Sequence, residues 1–76
     1  MNRKANGASI ATIRKALGMR QVALAGRLGI SAPYMSQIEY GVRQPPWELL
    51  VRIAAELGVS LESITYPVPE PDGVAS

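Results

Sequence analysis

Apolar residues recur along the chain at intervals of three and four, the spacing that gathers side chains on one face of an α-helix. From Gln21 the set is Leu24, Ala25 and Leu28; after Ser31 it is Met35 and Ile38; from Trp47 it is Leu50, Ile53, Ala54 and Leu57, with Gly58 as the stop. Ahead of these, Ile10, Ile13 and Leu17 predict a first helix capped by Ser9 and ended by Gly18. Behind them, Ser60 is placed to cap a last short helix, within 59–65, carrying Leu61 and Ile64. The pattern predicts an all-α protein, a compact bundle of about five short helices around an aliphatic core.

The stretch from Gln21 to Gly41 is the most informative. Gly29 supplies the residue able to take a positive φ past a helix end, Ile30 plugs inward, and Ser31 can cap the next helix onto Tyr34. Pro33 falls in the first turn of that helix, where its missing N–H costs no intrahelical bond. With Met35 and Ile38 turned to the core, Ala32, Pro33, Ser36, Gln37 and Tyr40 are left on the outer side. Two short helices joined by a tight turn, the second presented outward, form the arrangement in which the second helix enters the DNA major groove.

The residues that carry this pattern are Gln21, Leu24-Ala25, Leu28-Gly29-Ile30-Ser31, Tyr34, Ser36, Ile38-Glu39 and Gly41, continued by Pro45, Leu50, Ile53-Ala54 and Leu57-Gly58-Val59-Ser60. As an ordered set this resembles the Cro/C1-type (XRE, phage repressor-like) helix-turn-helix family over residues 9 to 65. The resemblance implies a lambda-repressor-like DNA-binding domain, with Arg14 and Glu39 forming a structural ion pair between the first helix and the end of the recognition helix. It also implies that Ala32, Pro33, Ser36 and Gln37 meet base edges and that Arg43 meets a phosphate. Four positions depart from the family's habit: Arg20 stands where Thr or Ser usually caps the second helix, Ala32 and Pro33 stand where some members carry glutamines, and Tyr40 replaces a frequent Asn.

Composition narrows the chemistry. A chain of 76 residues holds one small domain, and without cysteine neither a disulfide framework nor a thiolate metal site can brace it. The absence of His and Cys, of a carboxylate cluster and of a Gly-rich phosphate loop sets catalysis aside and leaves no site for a metal or cofactor. No run long and apolar enough to span a bilayer and no leader pattern occur, so the expectation is a soluble cytoplasmic protein with no membrane partner. So small an aliphatic core gives no basis for a small-molecule pocket.

Charge is distributed unevenly. Up to Pro46 seven bases face one acid, and beyond it one base faces five acids, +6 against −4 within a net charge of +2. A chain polarised in this way suits a polyanion at one end and solvent or a partner at the other. Arg20, Gln21, Arg27, Tyr40 and Arg43 are the candidate phosphate contacts, and Gln37 can make a bidentate contact with adenine N6 and N7. Arg20 cannot cap a helix, and its charge opposes the helix dipole by about 0.3 to 1 kcal/mol, a cost that a bound phosphate would reverse.

The expected organisation is a flexible basic arm over 1–8, a helix-turn-helix domain over 9–65 and a Pro-rich tail over 66–76 in which Pro67, Pro69 and Pro71 exclude helix. The expected function is a transcriptional regulator, a repressor, binding a near-palindromic double-stranded operator as a homodimer. The alternative is an antitoxin-like or adaptor subunit that keeps the scaffold and binds a protein through its acidic half.

Overall fold

The structure is a computed structural model and describes residues 3–69. Four α-helices follow a short strand: β1 (Arg3–Ala5), α1 (Gly7–Ala16), α2 (Gln21–Leu28), α3 (Ala32–Glu39) and α4 (Trp47–Leu57). A single 3₁₀ turn, Leu61–Ile64, leads into β2 (Thr65–Pro67). The core is aliphatic, with Ile10, Leu24, Met35, Ile38, Ile53 and Ile64 fully inside and Ile30 partly buried against them. The stripes expected on α2, α3 and α4 are all buried, and Leu49 joins that of α4.

The central turn follows from local chemistry. Gly29 takes φ 71° at the end of α2, and the Ser31 hydroxyl accepts from the Tyr34 amide at 3.1 Å while Pro33 occupies the first turn of α3. The chain can therefore leave α2 and start α3 within three residues. α2 then packs on α3 and on α4, while α1 lies along α3.

Four expectations are corrected. Arg3–Ala5 is not a flexible arm but a strand paired antiparallel with Thr65–Pro67, so Tyr66 and Pro67 belong to the folded unit and not to a tail. The strand is fastened at several points: Arg3 Nε donates to the Thr65 hydroxyl at 2.8 Å, the Ala5 amide donates to Gln44 Oε1 at 2.6 Å, and the Asn6 amide donates to the Ile64 carbonyl at 2.8 Å. Residues 1, 2 and 70–76 of the expected arm and tail lie outside the described residues.

Helix α1 begins two residues before Ser9, because Asn6 is the better-placed cap and its side chain accepts from the Ser9 amide at 3.1 Å. Leu17 is 55% exposed rather than in the core. The helix ends at Ala16, and the inward position one turn after Ile10 is taken by Arg14, which has a buried partner. The last helix is only the 3₁₀ turn, and the Ser60 hydroxyl meets the Ser63 hydroxyl at 3.0 Å instead of capping a backbone amide.

Gly7 explains how α1 reaches α3. A Cβ at this buried position would stand on the Ile38 and Glu39 carbonyl oxygens, so only glycine lets the start of α1 sit against the end of α3. Among the described residues no helix is long and apolar enough to cross a membrane.

Candidate nucleic-acid interface

Helix α3 has two unlike sides. Inward, Met35 and Ile38 enter the core and Glu39 is held in a polar cluster beneath the helix end. Arg14 donates to both Glu39 oxygens, from Nε to Oε2 at 2.8 Å and from Nη2 to Oε1 at 3.1 Å, and its Nη1 donates to the Met19 carbonyl at 2.8 Å. Gln21 Nε2 adds a third bond to the carboxylate at 2.9 Å. Arg14 is 7% and Glu39 9% exposed and Gln21 is half-buried, so the cluster joins α1, α2 and α3 around a nearly buried ion pair whose polar atoms are satisfied. Such a pair adds little net stability over apolar packing, whereas losing one partner strands the other charge.

Outward, Pro33 and Gln37 are exposed and Tyr40 is 83% exposed, with Ala32 and Ser36 half-buried beside them. The expected base-facing residues therefore share one helix face, but only Gln37 among the exposed ones offers a hydrogen-bonding side chain. Arg43 comes to the same face. Its Nε donates to Gln37 Oε1 at 3.3 Å, and its guanidinium carbon stands 5.9 Å from the centre of the Tyr34 ring, within reach of a cation–π contact.

The other expected phosphate contacts, apart from Arg43, divide into three groups. Arg20 is exposed at the start of α2 and makes no capping bond, and the next residue, Gln21, is tied to Glu39 at the end of α3. Gln21 and Tyr40 line a depression of about 300 Å³ whose other walls include Lys15 and Glu39. Arg27 is not brought to this face: at the far end of α2 its Nη1 lies 3.4 Å from Glu56 on α4. Lys15 is not among the phosphate contacts expected from the sequence; its place beside Tyr40 and Gln21 depends on how α1 meets α3.

Comparison with known proteins agrees with this geometry. The HTH_3 helix-turn-helix family model matches residues 10–64, more than half of the chain. The chain belongs to the helix-turn-helix family of Cro/C1 (XRE) type. Within that family it is 35% identical over 68 residues to the uncharacterized HTH-type transcriptional regulator y4dJ of Sinorhizobium fredii, covering 90% of this chain and 88% of y4dJ. It is 50% identical over 46 residues, 60% of its own length, to the uncharacterized HTH-type transcriptional regulator Rv0474 of Mycobacterium tuberculosis, of which it spans only 31%. Among solved structures it resembles the P22 c2 repressor protein in complex with synthetic operator 9T, with 34% identity, a TM-score of 0.69, and 74% of this chain and 85% of that chain covered. Family membership makes this a DNA-binding regulatory domain, and among the described residues no group of His, Cys, Asp and Glu could hold a metal ion.

Proposed function

We propose that the chain is a transcriptional repressor that inserts α3 into the major groove of a near-palindromic operator and binds as a homodimer. The observation that carries this reading is the division of α3: one side is anchored through Met35, Ile38 and Glu39, and the other leaves Pro33, Gln37 and Tyr40 in water, with Arg43 on Gln37 and Lys15 beside Tyr40. A rigid helix with a wet face flanked by cations suits a polyanionic groove. The likeness to a repressor solved on its operator supports the same docking.

Arg20, Arg43, Lys15, Gln21 and Tyr40 meet phosphates and set the register, joined by the first free amides of α2. Arg20 would there turn from a poor helix start into a favourable one. Gln37 reads a base, with adenine as its bidentate partner, and Ala32, Pro33 and Ser36 shape the apolar approach, for instance to a thymine methyl. Arg27 is left out of the contact set because it is engaged with Glu56. One module buries too little of the duplex for high specificity, so two copies would place their α3 helices about 34 Å apart on one face of the DNA.

The test is an anisotropy titration of the purified chain against random duplex and against sites selected from a randomised pool. Binding should weaken linearly in log affinity with log salt, and footprints of selected sites should show two half-sites about one helical turn apart. Salt-insensitive binding, or a stoichiometric protein partner captured through the acidic half with no DNA affinity, would replace this reading with the adaptor one.

A further inference from the structure

We infer that Arg43 is a positioning residue for base readout: it fixes the orientation of the Gln37 carboxamide, so that preference at the base pair Gln37 meets depends on a side chain that does not itself read it. This rests on the DNA-binding reading above and goes beyond it, since Arg43 is there only a phosphate contact.

The turn after α3 is built to return Arg43 to Gln37. Gly41 takes φ 79°, and the amides of Val42 and Arg43 both donate to the Gln37 main-chain carbonyl, at 2.9 and 3.2 Å. The chain thus closes on the residue one turn before the helix end. From there the Arg43 side chain runs back along the exposed face, its Nε meeting Gln37 Oε1 and its guanidinium lying over Tyr34.

An exposed glutamine ordinarily turns its amide freely, with oxygen and nitrogen interchangeable in position. A guanidinium can only donate, so the Gln37 oxygen must face Arg43 and its two N–H donors are left for other partners. The oxygen keeps one lone pair, which is enough for a bidentate contact with adenine in a single flip state. Arg43 meanwhile spends only its Nε–H, and its terminal N–H groups remain available to a phosphate. One residue thereby couples backbone docking to the orientation of the reading side chain.

The experiment compares the full chain with Gln37→Ala, Arg43→Lys and the double variant by sequencing the sites each binds from a randomised duplex pool. Lysine keeps the charge but lacks the planar fork. Arg43→Lys should weaken selected and random duplex alike through its phosphate contact, and beyond that common loss the preference at the base pair read by Gln37 should fall about three- to tenfold, the range that ordering one long side chain accounts for. In the Gln37→Ala background the same change should remove no further preference. Unchanged preference in Arg43→Lys, or an equal loss without Gln37, would overturn the inference. In the free protein, Arg43→Lys should shift the Gln37 side-chain NH₂ resonances, and unmoved resonances would equally overturn it. A parent chain that binds no duplex would instead sink the DNA reading, and the resonances would still decide whether the clamp exists.

Discussion

The two sides of α3 are made in opposite ways, and the difference separates what holds the domain together from what it does. The inner side is dry and over-determined: Glu39 accepts from Arg14 twice and from Gln21 once, and Gly7 brings the first helix hard against its end. The outer side is wet and sparsely bonded, with Gln37 held by a single 3.3 Å contact from Arg43. Substitutions on the inner side should therefore cost stability, and those on the outer side should change DNA binding at constant stability.

The largest effect belongs to the inner cluster. Glu39→Ala leaves the Arg14 guanidinium buried without its counter-charge and should destabilise the domain by about 3 to 5 kcal/mol in urea unfolding, a large share of what a domain of this size has. A loss below about 1 kcal/mol would mean that water reaches the pair and that the inner side is not dry. Gly7→Ala follows, since the added methyl meets backbone oxygens that cannot rotate away; overpacking of this kind costs about 1 to 3 kcal/mol. A neutral Gly7→Ala would show that α1 can slide on α3.

The outer side gives the complementary result. Gln37→Ala should leave the unfolding free energy within about 0.5 kcal/mol of the parent and reduce discrimination at one base pair by about 1 to 3 kcal/mol. A stability loss comparable to that of Gly7→Ala would blur the division. The smallest and sharpest effect is that of Arg20→Ala. It should weaken all duplexes about equally and lower the slope of log affinity against log salt by about 1. The free protein should gain about 0.3 kcal/mol, because a cation is removed from a helix N-terminus. A destabilised Arg20→Ala would show that Arg20 has a structural partner in the free chain.

How much could be read from the sequence follows the same contrast between local and distant causes. The stripes of α2, α3 and α4 and the Gly29–Ser31 turn have local signatures, in period, cap and a positive φ, and they stand where the pattern puts them. The ribbon of Arg3–Ala5 with Thr65–Pro67 has none, because three-residue strands some sixty positions apart make no alternation that either segment shows alone. Leu17 misled for another reason: it keeps the i+7 spacing from Ile10, but α1 ends at Ala16 and Leu17 is its C-cap, so the helical period no longer carries it inward. Asn6 was passed over for Ser9 as a cap because the helix's real start depends on where the strand leaves it. At the interface the outward residues of α3 were legible from helical period, but the contacts of Arg43 with Gln37 and of Arg27 with Glu56 exist only once the loop and α4 are in place.

The central claim is that the exposed face of α3, with Arg43 on it and Arg20 at the start of α2, is the surface that meets DNA. Its most direct test is to titrate ¹⁵N-labelled protein with a duplex carrying a selected site and to follow backbone and side-chain shifts residue by residue. The expected result is that the largest changes fall on Gln21, Ala32, Ser36, Gln37, Tyr40 and Arg43, with Glu48, Arg52 and Glu62 unmoved. Changes concentrated on α4 and the 3₁₀ turn, with the Gln37 side chain unaffected, would contradict it.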